Sequence, residues 1–240
     1  MQKAKNTMEQ YFGRIETITQ PVTANEGFEV VRRRLFTDCR DENVRGDVAD
    51  KFSMMYRNNP GDFPIEAREL SYRDRIISCY PIHPEIFDRL YGDWSTLPNF
   101  QRTRGVLSLM ASVIHDLWVK NDRGLLIMPG SVALNVSDIS TQLLRYLPDS
   151  EAWHSIIDGE IDGEKSIPYR LDNEKERYGN KLAARRVART IMLGSAPADR
   201  TQNIRGIERQ RIMLGVVQAD EGIADFSDAL TELKGSLAYM

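Results

Sequence analysis

Two groups of arginine residues carry the clearest potential chemistry of this 240-residue sequence. In the first group, Arg102 and Arg104 open a strongly apolar helical segment, so two guanidinium groups and free backbone N–H donors share its positive end. Such an arrangement can hold an anion, for example a nucleotide phosphate. The alternative is that both arginines pair with local acids such as Asp93. The sequence therefore predicts either an anion site or local ion pairs at this helix end.

The second group lies in a helix that is predicted over about residues 178–193. The helical repeat turns the apolar residues inward, which leaves Arg185, Arg186 and Arg189 largely on the outer face. A basic face of this kind can contact the phosphates of a nucleic acid. It can equally pair with the acidic stretch at residues 149–176 that precedes it. Nucleic-acid binding and ion pairing therefore both remain open for these three arginines.

Residues 159–166 (GEIDGEKS) approach the G-x-x-x-x-G-K-[ST] pattern of a phosphate-binding loop. The second glycine is out of register, and the neighbouring carboxylates would repel a phosphate. In addition, the segment before the loop is helical, whereas a phosphate-binding loop follows a strand. We therefore expect an acidic surface turn here, and no ATP hydrolysis by this chain.

No other group of residues has the pattern of a catalytic or metal-binding site. The three histidines and two cysteines are too scattered along the sequence for a zinc site. His115 beside Asp116 fits a general base with an orienting carboxylate, but a histidine at the edge of an apolar stripe is more often a packing residue. We expect the chain to be non-catalytic and to bind no metal or cofactor by itself.

The composition is that of an ordinary globular protein. Apolar residues make up 41% and charged residues 28% of the sequence, and the formal net charge is −3. These values exclude wholesale disorder and a globally basic nucleic-acid-binding protein. The sequence shows no apolar run of membrane-spanning length, no secretory leader and no disulfide framework, which predicts a cytoplasmic protein.

Helical periodicity dominates the sequence and predicts a mainly α-helical fold. The strongest pattern is an apolar stripe over residues 106–118, which predicts a largely buried helix. The apolar residues 125–128, just before Pro129, predict a short strand. A boundary after Gly124 would divide the chain into residues 1–124 and 125–240. Further helices are expected over about residues 23–35, 44–58, 66–80, 84–91, 137–147 and 224–234.

The end of the sequence predicts an interrupted fold. Residues 235–240 have the pattern of a strand that opens without a partner in the chain. An exposed apolar edge strand is an aggregation hazard that natural domains seldom keep. We therefore expect this chain to be an excised part of a longer protein, truncated within its second module.

Several motifs resemble the large bacterial and archaeal ATPases of domain-of-unknown-function family 499, and the resemblance covers nearly the whole chain. The matching segments are residues 29–35 (EVVRRRL), 80–91 (YPIHPEIFDRLY), 94–97 (WSTL), 100–107 (FQRTRGVL), 184–191 (ARRVARTI), 193–197 (LGSAP) and 205–212 (RGIERQRI). The resemblance implies kinship with AAA+-type P-loop ATPases, which are encoded beside DNA methylases and helicases in phage-defence islands. Their phosphate loop lies upstream of the region matched here.

The resemblance also implies positions and roles. The first part of the chain resembles the helical lid that follows the nucleotide-binding core, and Arg102 and Arg104 are the candidates for its nucleotide-phosphate sensor. The segment from Ser137 onward would be a helical or winged-helix-like module with a few short strands. The parent protein would bind ATP and Mg²⁺ in its upstream nucleotide-binding domain.

The implied function is therefore to sense the nucleotide state and to couple it to a DNA or protein partner, such as a methylase or helicase. Two alternatives come from other classes of protein. One is a nucleic-acid-binding module that uses Arg185, Arg186 and Arg189. The other is a scaffold of a defence complex.

Overall fold

The structure is a computed structural model that describes residues 24–37, 42–98, 100, 102–197 and 206–236. Twelve α-helices and no β-strand lie in this part of the chain, which confirms a mainly α-helical fold. The helices are α1 (Ala24–Leu35), α2 (Glu42–Asn58), α3 (Leu70–Cys79), α4 (Pro84–Phe87), α5 (Arg102–Val119), α6 (Ser137–Leu144), α7 (Ser150–Ile156), α8 (Ile167–Glu174), α9 (Glu176–Gly179), α10 (Ala183–Ser195), α11 (Arg209–Val216) and α12 (Ile223–Ser236). The strand opening predicted over residues 235–240 is wrong for Gly235 and Ser236, which form the end of α12, and residues 237–240 lie outside the described residues.

Aromatic residues build the first part of the core. Phe28 of α1 stacks on Phe87 of α4 at a ring-centroid distance of 4.5 Å. Phe52 and Tyr56 of α2 are fully buried, and Tyr56 packs against Phe63 at 4.7 Å. Such rings bury large apolar areas and favour tilted or offset contacts, so they hold α1 against α4 and α2 against the segment at Phe63.

Helix α5 is buried along most of its length but not at its end. Val106, Met110 and Val113 are completely buried, as their helical spacing predicts. Trp118 and Val119, in contrast, expose 83% and 67% of their surfaces. The expectation that the whole stripe to Trp118 is buried is therefore wrong for the last turn, which extends beyond its neighbours.

The prediction of a strand over residues 125–128 is wrong. Within the described part of the chain a single bridge forms, between Ile82 and Ile127. His83 N donates to Ile127 O at 2.9 Å, and Ile127 N donates to Pro81 O at 2.9 Å. The pairing stops there because Pro84 starts α4 directly after His83. On its other side, the segment meets a side chain: the Gln218 amide accepts from Leu126 N at 3.2 Å and donates to Leu126 O at 2.7 Å.

Polar contacts cross the boundary that the sequence predicts after Gly124. Trp94 Nε1 donates to Leu193 O at 2.7 Å, and Arg209 pairs with Asp62 at 2.7 Å. One hydrophobic core also contains residues from both sides of the boundary. The two parts are thus packed together, and their separation into two domains remains a prediction, as does the winged-helix detail.

Candidate functional site

The start of α10 is displaced from its predicted position. Instead of one helix over residues 178–193, α9 ends at Gly179 and α10 begins at Ala183, because Leu182 has a left-handed φ of 52°. The buried Asp172 carboxylate then caps α10 by accepting from Ala184 N at 2.9 Å and Arg185 N at 3.2 Å. Burial raises the pKa of Asp172 to about 6, although both hydrogen bonds oppose the shift.

Asp162 is the buried counterion of two arginines. Its side chain is completely buried and accepts from Arg185 Nε at 2.7 Å. Arg189 approaches the same carboxylate in bidentate fashion, with Nε and Nη2 each 2.8 Å from an oxygen. The backbone N–H of Asn135 adds a further donor at 2.9 Å. One carboxylate thus joins α10 to the turn before α6.

Arg186 points to the other side of α10. Its Nη1 lies 2.8 and 3.0 Å from the two carboxylate oxygens of Glu221, and its Nη2 donates to Val216 O. The guanidinium also lies over the Phe226 ring at 4.9 Å. A side chain at Gly130 would clash with Arg186, because a Cβ there would lie 2.9 Å from Arg186 Cβ. The glycine therefore lets the 129–131 turn lie directly on α10.

The outward orientation predicted for these arginines is wrong. The side chains of Arg185, Arg186 and Arg189 expose only 11%, 11% and 5% of their surfaces. The reason is that α8, α11, α12 and the 129–131 turn all pack on α10. The structure shows the ion pairs of the second alternative, with one partner in the acidic stretch and one near the end of the chain. Nucleic-acid binding by the three arginines remains a prediction.

The same arginines line a cleft of about 460 Å³, which we call the arginine cleft. It lies between the C-terminal end of α5, the turn at residues 130–135 and the start of α10. Three further cations and four acids also line it: Lys120, Arg123, Lys181, Asp116, Asp122, Asp220 and Glu221. The spacing of these residues in the sequence contains no signal that they meet.

The near-match to a phosphate loop folds into a different structure. Residues Ile157–Ile161 form a π-helical turn, and the N–H groups of Asp162 and Gly163 donate to Ile157 O at 2.9 and 3.1 Å. These donors therefore point into the turn, and no open ring of N–H groups remains for a phosphate. The expectation of an acidic turn is confirmed, except that Asp162 is buried where a surface position was predicted.

The head of α5 presents an exposed arginine. Arg104 is exposed and forms no hydrogen bond or ion pair with any residue that the structure describes. Asp93, the acid that sequence reasoning offered as its partner, pairs with Arg89 at 2.7 Å. Arg102 is the first residue of α5, and its side chain lies outside the described part of the structure. Local ion pairing with Asp93 is thus not the role of Arg104.

A second cation lies near this helix end. Arg145 is exposed, donates to the Tyr146 hydroxyl at 2.6 Å and lies 4.7 Å from the centre of the Tyr146 ring. Tyr146 packs edge-to-face on Phe100 at 4.9 Å, and its hydroxyl lies 3.3 Å from where a Cβ on Gly105 would be. Sequence reasoning missed Arg145, because its place beside the first turns of α5 depends on how α6 packs.

His83 and Glu85 form a buried polar centre at the start of α4. His83 Nδ1 accepts from Glu85 N at 3.1 Å, so Nε2 carries the proton and donates to the Tyr56 hydroxyl at 2.9 Å. Burial lowers the pKa of His83 to about 3 and raises that of Glu85 to about 7. Glu85 also meets Arg211 at 3.0 Å and Arg89 at 3.1 Å. Both side chains are completely buried, so this centre stabilises the fold.

His115 and Asp116 do not form the acid–base pair that their sequence suggests. Adjacent residues on a helix point in different directions, and Asp116 pairs with Lys120 at 2.8 Å. His115 is exposed, so the packing role is also wrong. Among the described residues, no three His, Cys, Asp or Glu side chains are grouped to hold a metal ion, and no helix is long and apolar enough to cross a membrane.

Comparisons with known proteins identify the family alone. A family model described as the DUF499 second domain matches residues 23–235. The comparisons with curated proteins and with solved structures found no match. The matched region contains the head of α5, the arginine cleft and the buried centre around Glu85. Because the match spans most of its length, the chain belongs to the DUF499 family as its second domain.

Proposed function

We propose that this chain is a non-catalytic domain of an AAA+-type ATPase, which senses the nucleotide state and couples it to a DNA or protein partner. The observation that carries the proposal is the exposed Arg104 at the head of α5, which has no partner among the described residues although acids lie nearby in sequence. With no ion pair to break, its guanidinium is available to an anion without loss of a fold-stabilising contact.

The geometry of α5 suits a sensor. The helix has 18 residues, so its dipole and its first N–H groups favour an anion at the end where Arg102 and Arg104 stand. The middle of α5 is buried, and the helix packs against α1 and α6. Movement of the helix head on binding a phosphate would therefore be transmitted to other helices, because a close-packed core resists local deformation.

In this proposal the parent protein supplies the remaining parts of the site. Its upstream nucleotide-binding domain binds ATP and Mg²⁺, while Arg102 and Arg104 approach the terminal phosphates. The partner that receives the signal is DNA, a methylase or a helicase of a cytoplasmic phage-defence system. Helices α10, α11 and α12 pack against one another, and in this proposal they move together as one rigid body.

The proposal is tested in the full-length parent protein by ATP turnover. Arg104→Ala and Arg102→Ala should each lower kcat about a hundredfold, because a lost charge-assisted contact to a transferring phosphoryl group costs about 3 kcal/mol. Arg170→Ala is the matched control, since Arg170 is an exposed arginine with only a 3.8 Å contact to Glu174. Normal turnover in both test variants would refute the sensor role.

A further inference from the structure

The arginine cleft has the size of a small-ligand site. Its volume of about 460 Å³ falls within the range of about 300 to 1,000 Å³ that is typical of such pockets. Its walls come from four separate segments: the end of α5, the turn at residues 130–135, the start of α10 and residues 218–221. A concave site of this volume holds a small molecule and not a duplex, so it differs from the outward basic face that the sequence predicted.

Arg185 is the arginine of this wall that keeps a nitrogen free for a ligand in the cleft. Asp162 is completely buried behind Arg185 and Arg189, and this single carboxylate serves both guanidinium groups. Arg185 Nε donates to Asp162. Neither of the other two Arg185 nitrogens is both buried and without a hydrogen-bond partner. Nη2 faces the Asn135 side-chain oxygen at 3.3 Å, so Nη1 of Arg185 remains for a ligand. Asp162 thus fixes the arginine side of the cleft, while part of the Arg185 guanidinium stays open to a ligand.

The opposite rim supplies an exposed cation. Arg123 is exposed and forms no hydrogen bond or ion pair with the described residues. Two neighbouring acids are already engaged: Asp116 pairs with Lys120 at 2.8 Å, and Asp122 accepts from Gly124 N at 2.9 Å. Of the other two acids in the cleft, Glu221 pairs with Arg186, and Asp220 is the remaining one. Arg123 and Arg185 therefore offer uncommitted guanidinium donors from two sides of one cavity.

We propose that the arginine cleft binds a small phosphate-bearing anion. Guanidinium groups match phosphate oxygens in charge and geometry, and bidentate contacts give both affinity and orientation. The site lies at the end of α5 opposite to Arg104, so it is separate from the phosphate contact in the proposed function and does not depend on it.

The proposal is tested by isothermal titration calorimetry of this chain with inorganic pyrophosphate. We expect saturable binding with one equivalent. Arg123→Gln should weaken it about tenfold or more, and because Arg123 is exposed, this variant should fold normally. Arg185→Gln should weaken binding as well. Arg170→Gln removes an exposed arginine outside the cleft and should bind like the unmodified chain.

The ligand source is distinguished by titrations with ADP and adenosine. Tighter binding of ADP than of pyrophosphate identifies a nucleotide site, and equal binding identifies a site for the phosphate group alone. The proposal is overturned by a lack of saturable pyrophosphate binding or by binding of adenosine alone. It is also overturned if Arg123→Gln and Arg185→Gln both bind normally, or if Arg170→Gln loses as much affinity as they do.

Discussion

Asp162 and Arg189 form a bidentate ion pair in the interior, with Nε and Nη2 of the arginine each 2.8 Å from a carboxylate oxygen. The carboxylate is fully buried and also holds Arg185. Two guanidinium groups therefore depend on one acid, which makes Asp162 the point at which α10 is most sensitive to substitution.

Asp162→Asn should destabilise the chain by about 3 to 5 kcal/mol, because it leaves two largely buried guanidinium groups without a counterion. The measurement is urea unfolding followed by circular dichroism. Glu174→Gln removes an exposed acid that lies 3.8 Å from Arg170 and should cost less than about 1 kcal/mol. Equal losses in the two variants would contradict the buried-pair interpretation.

Glu85 should make stability decrease as the pH rises. Burial raises its pKa from 4.5 to about 7 despite Arg89 and Arg211, so the folded state favours the protonated form. The stabilisation from this group is fully present below pH 4.5 and is lost as the pH rises toward about 7. Relative to Glu85→Gln, the unmodified chain should therefore lose stability over that interval.

The check is the difference in free energy of unfolding between the two proteins from pH 4 to pH 8. Glu174→Gln, which changes an exposed carboxylate, serves as the matched control. A difference that stays constant with pH, or that changes in the opposite direction, would contradict the prediction for Glu85.

His83→Leu should cost about 1 to 3 kcal/mol. The substitution removes the acceptor for Glu85 N at the start of α4 and leaves the buried Tyr56 hydroxyl without its 2.9 Å donor. In NMR spectra of the unmodified chain, the His83 ring should not titrate between pH 5 and 8, because burial lowers its pKa to about 3. Titration of this ring within that interval would show that it reaches solvent.

Arg104→Ala should change the stability of this chain by less than about 0.5 kcal/mol, because the side chain is exposed and has no partner among the described residues. Val113→Ala on the same helix removes completely buried methyl groups and should cost more than 1 kcal/mol. Thermal melting of both variants gives the comparison. A clear drop in the melting temperature for Arg104→Ala would indicate a structural role.

Trp118 should dominate the quenchable fluorescence of the chain. It exposes 83% of its surface, whereas Trp94 is completely buried and Trp153 is half-buried. Acrylamide should therefore quench much of the emission in the unmodified chain and far less in Trp118→Phe. Unchanged quenching in that variant would mean that the end of α5 is covered in solution.

Local pattern predicted most of the longer helices, but it predicted neither α7, α8 and α11 nor the partners of the charged residues. Val106, Met110 and Val113 lie where the helical repeat puts them, because the period of the helix fixes which side is apolar. The break at Leu182 was missed, since nothing in the residue type predicts its left-handed backbone. The partner of Arg189 was missed as well, because many acids precede it and only the fold selects Asp162, 27 residues away.

The contact between Gln218 and Leu126 has a consequence for association. Residues 125–128 are apolar and form a bridge at Ile127, and free backbone groups beside such a bridge can template the addition of a strand from another molecule. The Gln218 amide occupies both backbone groups of Leu126, as a peptide unit of a neighbouring strand would. One side chain thus closes this edge against intermolecular strand pairing, and its loss would expose the chain to aggregation through residues 125–128.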